Sequence, residues 1–435
     1  MPRYKYFLSR NVKKQLDFFL DSQYWTRDKI YDYQTKKLKD LIIHAYKYVP
    51  YYKKILDVNA IKPEDIKSLE DLNKIPILRK EDIKSNLTDL ISSSISKNNL
   101  IFNYTGGSTG VPLKFFHDKS YMVSAEAMRI RNWKYFVGFD MYESEAILWG
   151  DVRDIGKGLS LSKFIKFLLK PDISLNTFDL DENKILNFFR FYNLVQPNIV
   201  RGYASSLYFI SEILTKNKFK FKSPKSVISS SETLTVGMKK KISKVFGSKI
   251  YNSYGSREVS QIAMECEFGN MHISLENQIV ELVPNTMFSK EGLMSIIVTN
   301  LNNYGMPFIR YEIGDVAKSI ISSQCNCGRS HDLILGLGGR VNENIKLKDG
   351  KVINGEYFEF LFDDIHDVDR YQVVYYSSLN KLLLKLDAKN NHEIIKNNLK
   401  SKLKSHLGTI NIEFDFESVF EKSPTGNFKF VWNEE

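Results

Sequence analysis

The sequence predicts an α/β fold, with a large N-terminal domain of parallel and mixed sheets followed by a small α+β domain. Between residues 146 and 251, short apolar segments alternate with helical ones, a pattern typical of strands that run parallel. Near Gln278 the alternation gives way to two segments that predict antiparallel strands. From about Gly339 the order of elements changes again, so we predict domains over residues 1–338 and 339–435.

The N-terminal segment predicts helices. Four apolar side chains fall at the spacing of one helix face: Leu38, Leu41, Ile42 and Ala45. Pro50 ends that pattern. A second helix is predicted after residue 78, with Ile83, Leu87 and Leu90 on its apolar face. We assign these helices no chemistry and expect them to cover the main domain.

The remaining elements follow from the same signals. Strands are predicted over residues 146–149, 199–200, 226–230, 249–251, 278–283 and 293–299, and helices over about 122–135, 182–194, 205–215 and 236–246. The C-terminal domain is predicted to begin with a hairpin over 344–353 that turns at Asp349-Gly350. After it come a helix at 356–362, strands at 371–377 and 381–386, a helix at 393–407 and a last strand pair from residue 411.

The composition is that of an ordinary globular protein, with 43% hydrophobic and 26% charged residues in a chain of 435. The formal net charge of +11 comes from lysines spread along the chain, which favours a solvated surface over a nucleic-acid site. The longest apolar runs are too short to cross a bilayer, and residues 1–10 lack the apolar core of a signal peptide. We therefore expect a cytoplasmic protein with no transmembrane segment and no nucleic-acid partner.

A glycine-rich stretch, Tyr104-Thr-Gly-Gly-Ser-Thr-Gly-Val-Pro-Leu-Lys114, lies between two apolar runs. Its glycines let the backbone turn sharply and expose N–H groups, while hydroxyls and the ammonium group of Lys114 add donors and positive charge. Such donors suit polyphosphate oxygens, although the spacing is not that of a Walker A loop. Taken alone, the stretch is equally compatible with a surface turn. The candidate phosphate-binding residues are Thr105, Gly106, Gly107, Ser108, Thr109, Gly110 and Lys114.

Two later motifs supply carboxylates. Ser253-Tyr-Gly-Ser-Arg-Glu258 follows a predicted strand, and Glu258 is a natural oxygen ligand for Mg²⁺ beside a phosphate loop. Asp315 follows Gly314 near a strand end, where its carboxylate could accept both hydroxyls of a ribose. Arg340 offers a guanidinium to the same nucleotide. Each of these motifs is also compatible with a surface turn that carries an ordinary charge.

The three cysteines and one histidine have the spacing of a metal site. Cys266 and His272 are followed by Cys325 and Cys327, and an odd cysteine count argues against a disulfide framework. Three thiolates and an imidazole would form a closed, tetrahedral, structural zinc site, with no open position for catalysis. The alternative is three free thiols without a metal. His331 is a spare candidate ligand.

Taken in order, the glycine loop, Tyr254-Gly255-x-x-Glu258, Gly314-Asp315 and Gly339-Arg340 resemble the successive motifs of the adenylate-forming superfamily. The closer resemblance is to phenylacetate–CoA ligases and to CapK-like proteins of capsular polysaccharide biosynthesis. Segments 37–52, 72–82, 253–262 and 306–315 resemble signatures of that group, so nearly the whole chain takes part.

The resemblance implies a role for each matching residue. The glycine loop and Lys114 would hold the triphosphate of ATP, Glu258 would bind Mg²⁺, and Asp315 with Arg340 would hold the ribose. Tyr254, with Gly255 and Ser256 beside it, would lie near the adenine. A segment that lines the adenine and acyl pocket would comprise Ser230, Ser231 and Glu232. The products of the first step would be an acyl-AMP and pyrophosphate, and the small C-terminal domain would be mobile.

The C-terminal end departs from the superfamily pattern. The superfamily carries a lysine that reaches the acyl carboxylate and the α-phosphate, and Asn427 occupies that position here. Lys429 would lie on the same face of a strand, two residues on, and could substitute for it. Asn342 occupies the hinge position, where relatives often carry Asp or Lys.

We therefore expect an ATP-dependent ligase that activates a carboxylic acid and passes it to a thiol such as CoA, an amine or a hydroxyl, in surface polysaccharide biosynthesis. One alternative is a catabolic aryl- or acyl-CoA ligase. Another is a nucleotide-binding scaffold that has lost adenylation, which Asn427 would favour. Relatives suggest a homodimer. Tyr203, Phe136 and Trp149 are candidates for an apolar pocket, although such residues more often belong to the core.

Overall fold

A computed structural model describes residues 9–105, 113–140, 143–149, 171–177, 180–284, 292–338, 345–347, 352–353, 358, 361–362, 365, 367–368, 370–388, 390–407, 410–417, 420 and 431–434. The chain divides into two compact units. Unit 1 comprises Met1–Tyr142, Tyr251–Asn285 and Ser289–Leu337, and unit 2 comprises Glu143–Ile250, Thr286–Phe288 and Gly338–Glu435. The chain thus re-enters unit 2 at Gly338, and a separate domain over residues 339–435 stays a prediction.

Within the described residues, the α-helices are α1 (Arg10–Ser22), α2 (Arg27–Tyr48), α3 (Pro50–Val58), α4 (Lys80–Ser85), α5 (Lys119–Trp133), α6 (Glu182–Val195), α7 (Ala204–Lys216), α8 (Val236–Phe246) and α9 (His392–Leu407). The strands are β1 (Leu100–Tyr104), β2 (Lys114–Asp118), β3 (Glu145–Trp149), β4 (Ile173–Asn176), β5 (Ile199–Gly202), β6 (Ser226–Ser230), β7 (Lys249–Ser256), β8 (Ser260–Glu265), β9 (Met271–Ile273), β10 (Gln278–Pro284), β11 (Met294–Asn300), β12 (Tyr311–Ala317), β13 (Ser319–Ile321), β14 (Leu333–Leu335), β15 (Ile345–Lys346), β16 (Val352–Ile353), β17 (Arg370–Tyr376), β18 (Lys381–Asp387), β19 (Asn411–Asp415) and β20 (Val431–Glu434). None of these helices is both long and apolar enough to cross a membrane.

The N-terminal helices of unit 1 begin where the sequence supplies a cap. The hydroxyls of Ser9 and Thr26 accept backbone N–H groups at the starts of α1 and α2, and Pro50 occupies the first turn of α3. The four side chains predicted to share one helix face are all fully buried in α2, which ends before Pro50 as predicted.

The other predicted helices of unit 1 differ in their ends. α4 is shorter than predicted, because the backbone leaves the helical conformation at Asn86, so Leu87 and Leu90 lie beyond the helix. α5 begins earlier than predicted, since the carboxylate of Asp118 caps it by accepting the backbone N–H of Tyr121.

The strands of unit 1 are antiparallel. β10, β11 and β12 form a three-stranded sheet whose first pairing joins Gln278 to Asn300, which confirms the two antiparallel strands predicted there. β13, β14, β9, β8 and β7 follow one another in a second sheet, in that order. β1 and β2 form a separate hairpin. Unit 1 thus brings three sheets together around an apolar core to which α2 and α3 contribute.

Unit 2 contains the predicted alternation of strands and helices. Its strands lie in the order β6, β5, β3 and β4 and run parallel, with α6, α7 and α8 between them along the chain. This confirms the α/β class, because parallel neighbours need a crossover, and helices usually supply it. β7 then carries the chain into unit 1 at Tyr251.

The C-terminal part of unit 2 forms a four-stranded sheet in the order β19, β18, β17 and β20. β17 and β18 lie where two strands were predicted, they pair antiparallel, and α9 follows them. The predicted final strand pair is wrong, because β19 lies at one edge, parallel to β18, and β20 lies at the other, parallel to β17. β15 and β16 pair as the predicted hairpin, whose turn lies outside the described residues, as does most of the helix predicted at 356–362.

Candidate functional site

The β1–β2 hairpin positions the two ends of the glycine loop. Tyr104 at the end of β1 pairs with Lys114 at the start of β2. Thr105 and Leu113 close the hairpin, since the backbone N–H of Thr105 donates to the carbonyl of Leu113 (3.0 Å) and the N–H of Leu113 donates to the hydroxyl of Thr105 (3.0 Å). The predicted phosphate-binding residues between them, Gly106, Gly107, Ser108, Thr109 and Gly110, lie outside the described residues. The side chain of Lys114 is exposed where the hairpin opens into the loop.

Glu258 lies in the tight turn between β7 and β8. Ser256 pairs with Ser260 across that turn, and the hydroxyl of Ser256 accepts the backbone N–H of Val259 (3.4 Å). Gly255 lies so close to the neighbouring strand that a Cβ would be 2.4 Å from the carbonyl oxygen of Ser260. Residues 253–256 of the predicted motif thus belong to β7, and only Arg257 and Glu258 enter the turn; the glycine is required by close packing.

Two buried side chains hold Glu258 in place. The hydroxyl of Tyr311, in β12, donates to Glu258 Oε1 (3.0 Å). His117 Nε2 lies 2.9 Å from the backbone carbonyl of Glu258, so this nitrogen carries the proton and donates. Burial lowers the pKa of His117, which keeps the ring neutral. Only 6% of Glu258 is exposed, so its carboxylate has a defined direction.

Asp315 lies on the same strand as Tyr311 and is partly exposed. The hydroxyl of Tyr254, in β7, donates to Asp315 Oδ2 (2.8 Å). Gly314, just before it, adopts a φ of +91°, which side chains rarely tolerate. Unit 1 therefore holds both predicted nucleotide carboxylates, each with a tyrosine donor.

Unit 2 holds the third predicted segment. Ser230 is the last residue of β6, and Ser231 follows with a φ of +68°. Glu232 Oε2 accepts the backbone N–H of Ser205 (2.8 Å) in the first turn of α7. Part of the Glu232 carboxylate thus stabilises a helix N-terminus. Arg340, Asn342, Asn427 and Lys429 lie outside the described residues.

The aromatic candidates for an apolar pocket divide between the units. In unit 2, the rings of Trp149 and Tyr203 lie 4.3 Å apart, and both are largely buried. Phe136 belongs to the core of unit 1, where the guanidinium of Arg329 lies 4.0 Å from its ring centroid. Phe136 is 1% exposed, so it belongs to the hydrophobic core, the alternative to a pocket residue that the sequence left open.

The predicted metal ligands come together in unit 1. Their ligand atoms all lie within 4.8 Å of one another: Cys266, His272, Cys325 and Cys327. Cys266 Sγ lies 3.7 Å from Cys325 Sγ, and Cys327 Sγ lies 3.3 Å from His272 Nε2. The sulfurs of a tetrahedral site with Zn–S bonds of about 2.3 Å are separated by about 3.8 Å. The cluster therefore has the composition and close to the spacing that zinc requires.

Two N–H groups donate to sulfur atoms of this cluster. The backbone N–H of Phe268 points at Cys266 Sγ (3.4 Å), and the amide of Asn270 donates to Cys325 Sγ (3.2 Å). Without a metal, burial raises the pKa of Cys266 to about 12 and lowers the pKa of His272 to about 3. The metal-free thiol of Cys266 is thus protonated at neutral pH, and metal binding would release its proton.

The spare candidate, His331, faces Glu276 and is not one of the four clustered ligands. Its Nε2 is 3.2 Å from Glu276 Oε1, which also accepts from Arg131 (2.7 Å) and from the hydroxyl of Ser22 (2.8 Å). All four side chains are buried. Sequence reasoning missed this ion-pair network, because its members are far apart in the chain and show no common spacing.

Sequence reasoning also missed how the N-terminal segment supports β12. Leu78 forms a parallel bridge with Tyr311: its N–H donates to the carbonyl of Arg310 (2.9 Å), and its carbonyl accepts the N–H of Glu312 (3.0 Å). The guanidinium of Arg310 donates to the carbonyl of Ile75 (2.6 Å). Segment 72–82, which was assigned no chemistry, thus holds the strand that carries Asp315.

Comparison with known proteins identifies distant relatives over most of the chain. Protein CapK of Staphylococcus aureus is 23% identical over 412 residues, which cover 93% of this chain and 89% of CapK. A phenylacetate-coenzyme A ligase of Thermus thermophilus is 23% identical over 374 residues, which cover 80% of this chain and 78% of the ligase. No family model matches the chain.

Among solved structures, 2-hydroxyisobutyryl-CoA ligase in the postadenylation state, in complex with an acyl-AMP, superposes with a TM-score of 0.72. The superposition covers 95% of this chain and 93% of that ligase, at 15% sequence identity. At that identity the likeness establishes the fold, and the chemistry has to be argued from the residues described above.

Proposed function

We propose that this chain, a homologue of CapK and of phenylacetate–CoA ligases with the fold of an adenylate-forming CoA ligase, activates a carboxylic acid with ATP. The observation that carries the proposal is the geometry of unit 1. Unit 1 holds the two carboxylates Glu258 and Asp315 in fixed directions and also contains the β1–β2 hairpin, in which Lys114 begins β2. ATP needs this combination of groups: a carboxylate for the metal ion on its triphosphate, a cation for the phosphates and a second carboxylate for the ribose hydroxyls.

In the proposed reaction, an oxygen of the substrate carboxylate attacks the α-phosphorus of ATP. The bond between that phosphorus and the bridging oxygen breaks, and pyrophosphate leaves. Lys114 and the glycine-loop residues Ser108, Thr109 and Gly110 would neutralise and orient the phosphates, and Asp315 with Arg340 would hold the ribose. Tyr254, with Gly255 and Ser256, would lie near the adenine, and Ser230, Ser231 and Glu232 near the adenine and acyl group.

Mg²⁺ is the cation we propose for Glu258. Its carboxylate is an oxygen ligand, and Tyr311 occupies one oxygen while holding the group in place. Bound Mg²⁺ would neutralise charge on the departing pyrophosphate. We propose that Lys429 takes the role of the superfamily lysine that reaches the acyl carboxylate and the α-phosphate. Asn427, which occupies that lysine's position, carries no charge.

In the second half-reaction, the acceptor attacks the acyl carbonyl carbon and AMP leaves. Two relatives are named as CoA ligases, which favours CoA as the acceptor, and its thiol would give a thioester. An amine or a hydroxyl would give an amide or an ester by the same displacement. The resemblance of the sequence motifs to CapK-like proteins of capsular polysaccharide biosynthesis supports a role in surface polysaccharide biosynthesis. Rotation of the C-terminal domain between the two steps, formation of a homodimer and a cytoplasmic location stay predictions from the resemblance.

Zinc is proposed as a structural metal held by Cys266, His272, Cys325 and Cys327. The spacing of these ligand atoms supports a closed site. Four protein ligands leave no position for substrate, so the zinc would fix the loops that carry them and take no part in catalysis.

The experiment that tests the proposed function measures pyrophosphate release with ATP, Mg²⁺ and hydroxylamine over a panel of carboxylic acids. Hydroxylamine intercepts acyl-AMP, so the acceptor need not be known. The wild type, Lys429→Ala and Asn427→Lys are compared. We expect hydroxamate from the wild type with one class of acid and a loss of about 100-fold or more in Lys429→Ala, because removal of a group that stabilises transition-state charge has effects of this order.

Other outcomes would select the alternatives. Activity in Asn427→Lys alone would mean that the natural chain has lost adenylation, as in the scaffold reading. Rapid turnover of a simple arylacetic acid with CoA would indicate the catabolic ligase. ATP binding without hydroxamate from any of the three proteins, over a wide panel, would contradict the proposed enzyme activity.

A further inference from the structure

Two tyrosine–carboxylate hydrogen bonds connect the segments that carry Glu258 and Asp315. Tyr254 precedes Glu258 by four residues, and Tyr311 precedes Asp315 by four. The hydroxyl of Tyr254 donates to Asp315 (2.8 Å), and the hydroxyl of Tyr311 donates to Glu258 (3.0 Å). Each segment thus supplies a tyrosine to the acid of the other, in a reciprocal arrangement that we name the tyrosine–carboxylate frame.

The frame joins two sheets of unit 1. β7 belongs to the sheet with β8 and β9, whereas β12 belongs to the sheet with β10 and β11. The two side-chain bonds are therefore tertiary links between sheets, and each joins one carboxylate to the segment that carries the other.

Tyr311 is rigidly held. It is fully buried, its ring centroid lies 5.0 Å from that of Phe308, and its backbone forms the bridge with Leu78. A side chain packed in this way keeps its hydroxyl in one position at little further entropic cost. The bond to Glu258 Oε1 therefore fixes the direction of the whole carboxylate.

We propose that the tyrosine–carboxylate frame preorganises the nucleotide site, with Tyr311 as the positioning residue for the Mg²⁺ ligand Glu258 and Tyr254 as that for the ribose ligand Asp315. This inference rests on the proposed function. The hydroxyl of Tyr311 leaves Glu258 one carboxylate oxygen for the cation, which suits Mg²⁺ because its small octahedral shell demands near-ideal geometry. The bond from Tyr254 to Oδ2 likewise orients the carboxylate of Asp315, which would accept a ribose hydroxyl.

The test is ATP binding, measured by calorimetry over a range of Mg²⁺ concentrations in the wild type, Tyr311→Phe and Tyr254→Phe. We expect the Mg²⁺ concentration for half-maximal tightening of ATP binding to rise about tenfold in Tyr311→Phe. In Tyr254→Phe this Mg²⁺ concentration should stay unchanged, while the ratio of the affinities for ATP and for 2′,3′-dideoxy-ATP should fall about tenfold. The two variants thus affect different parts of the same ligand.

Tyr52→Phe is the matched control. Tyr52 is also buried, and its hydroxyl donates to the carbonyl of Pro307 (2.9 Å) and accepts the backbone N–H of Ile309 (3.0 Å), so its hydrogen-bond partners are backbone groups and neither carboxylate. This variant should lose stability and keep the Mg²⁺ dependence of the wild type. A shift in Tyr52→Phe equal to that in Tyr311→Phe would overturn the inference, because it would mean general loosening of the unit.

The remaining outcomes separate the inference from the proposed function. If the wild type binds ATP and forms hydroxamate while Tyr311→Phe keeps the wild-type Mg²⁺ dependence, only the frame is overturned. If both tyrosine variants change Mg²⁺ dependence and ribose preference alike, the division of roles is overturned. If the wild type does not bind ATP at any Mg²⁺ concentration, the proposed function fails, and the frame fails with it.

Discussion

Among the described glycines of the candidate site, Gly255 packs closest against neighbouring backbone. A Cβ there would lie 2.4 Å from the carbonyl oxygen of Ser260 and 3.2 Å from Cα of Gln261, so backbone would have to move. Gly138 offers a contrast, because its φ of +82° is unfavourable for alanine, yet no atom lies within 4 Å of the position of a Cβ. A comparison of alanine substitutions at the two glycines therefore distinguishes the cost of a steric clash from the cost of an unfavourable φ.

We expect Gly255→Ala to lower the free energy of unfolding by about 2–3 kcal/mol, because overpacking against backbone has costs of this size. Gly138→Ala should cost about 1 kcal/mol, the cost of a left-handed conformation alone. Denaturant unfolding of both variants checks this. Equal costs would show that β8 moves away easily and that Gly255 is not required by packing.

At the scale of elements, the buried charge pair Arg131–Glu276 ties α5 to the segment between β9 and β10. Both side chains are 0% exposed, and the Ser22 hydroxyl at the end of α1 and His331 also contact Glu276. Burial alone would raise the pKa of Glu276, but Arg131 and then His331 outweigh it, so the pKa lies well below the ordinary carboxyl value. Four separate chain segments therefore meet at one carboxylate.

We expect Glu276→Gln to lower the free energy of unfolding at pH 7 by about 3–5 kcal/mol, because Arg131 would be left buried without a counter-charge. A depressed carboxyl pKa stabilises the fold above the unfolded pKa, and this stability is lost as pH falls through the folded value. The difference between wild type and variant should therefore shrink below about pH 4. Denaturant unfolding from pH 7 to pH 3 measures it.

Glu182→Gln is the control for this prediction, since Glu182 pairs with Lys216 at an exposed position. That variant should change stability little at any pH. A cost for Glu276→Gln that stays constant from pH 7 to pH 3 would contradict the charge argument and leave packing as its cause.

At the scale of the whole molecule, the metal cluster connects distant parts of the chain. Cys266 and His272 flank the β8–β9 turn, whereas Cys325 and Cys327 lie between β13 and β14. The pairing of β9 with β14 and the Arg329–Glu267 ion pair (3.2 Å) also join these segments, and a bound ion would add to the folding free energy.

We expect the purified protein to contain one zinc ion per chain, and a strong chelator to lower its melting temperature. His272→Gln should lose the metal, whereas His392→Gln, at a histidine stacked on Phe416 in unit 2, should retain it. Metal analysis and thermal unfolding check both variants. A zinc-free protein with three titratable thiols and a melting temperature indifferent to chelator would establish the alternative of free cysteines.

The sequence by itself determined the α/β class, the parallel strands of unit 2, the β10–β11 pair and the four residues of the metal cluster. These depend on local signals, such as apolar periodicity and ligand spacing, which a chain shows before it folds. The glycine loop, Arg340, Asn427 and Lys429 lie outside the described residues, so their roles stay predictions.

Tertiary structure alone decided which side chains meet. Tyr311 belonged to a recognised motif, yet its bond to Glu258 joins residues 53 positions apart, and Arg131 pairs with Glu276 at a separation of 145. The sequence likewise did not predict that β19 and β20 lie at opposite edges of the same sheet. Bringing distant residues together costs chain entropy, which the folding of the whole unit supplies. Burial then strengthens the hydrogen bond between them, so such contacts become predictable only from the folded structure.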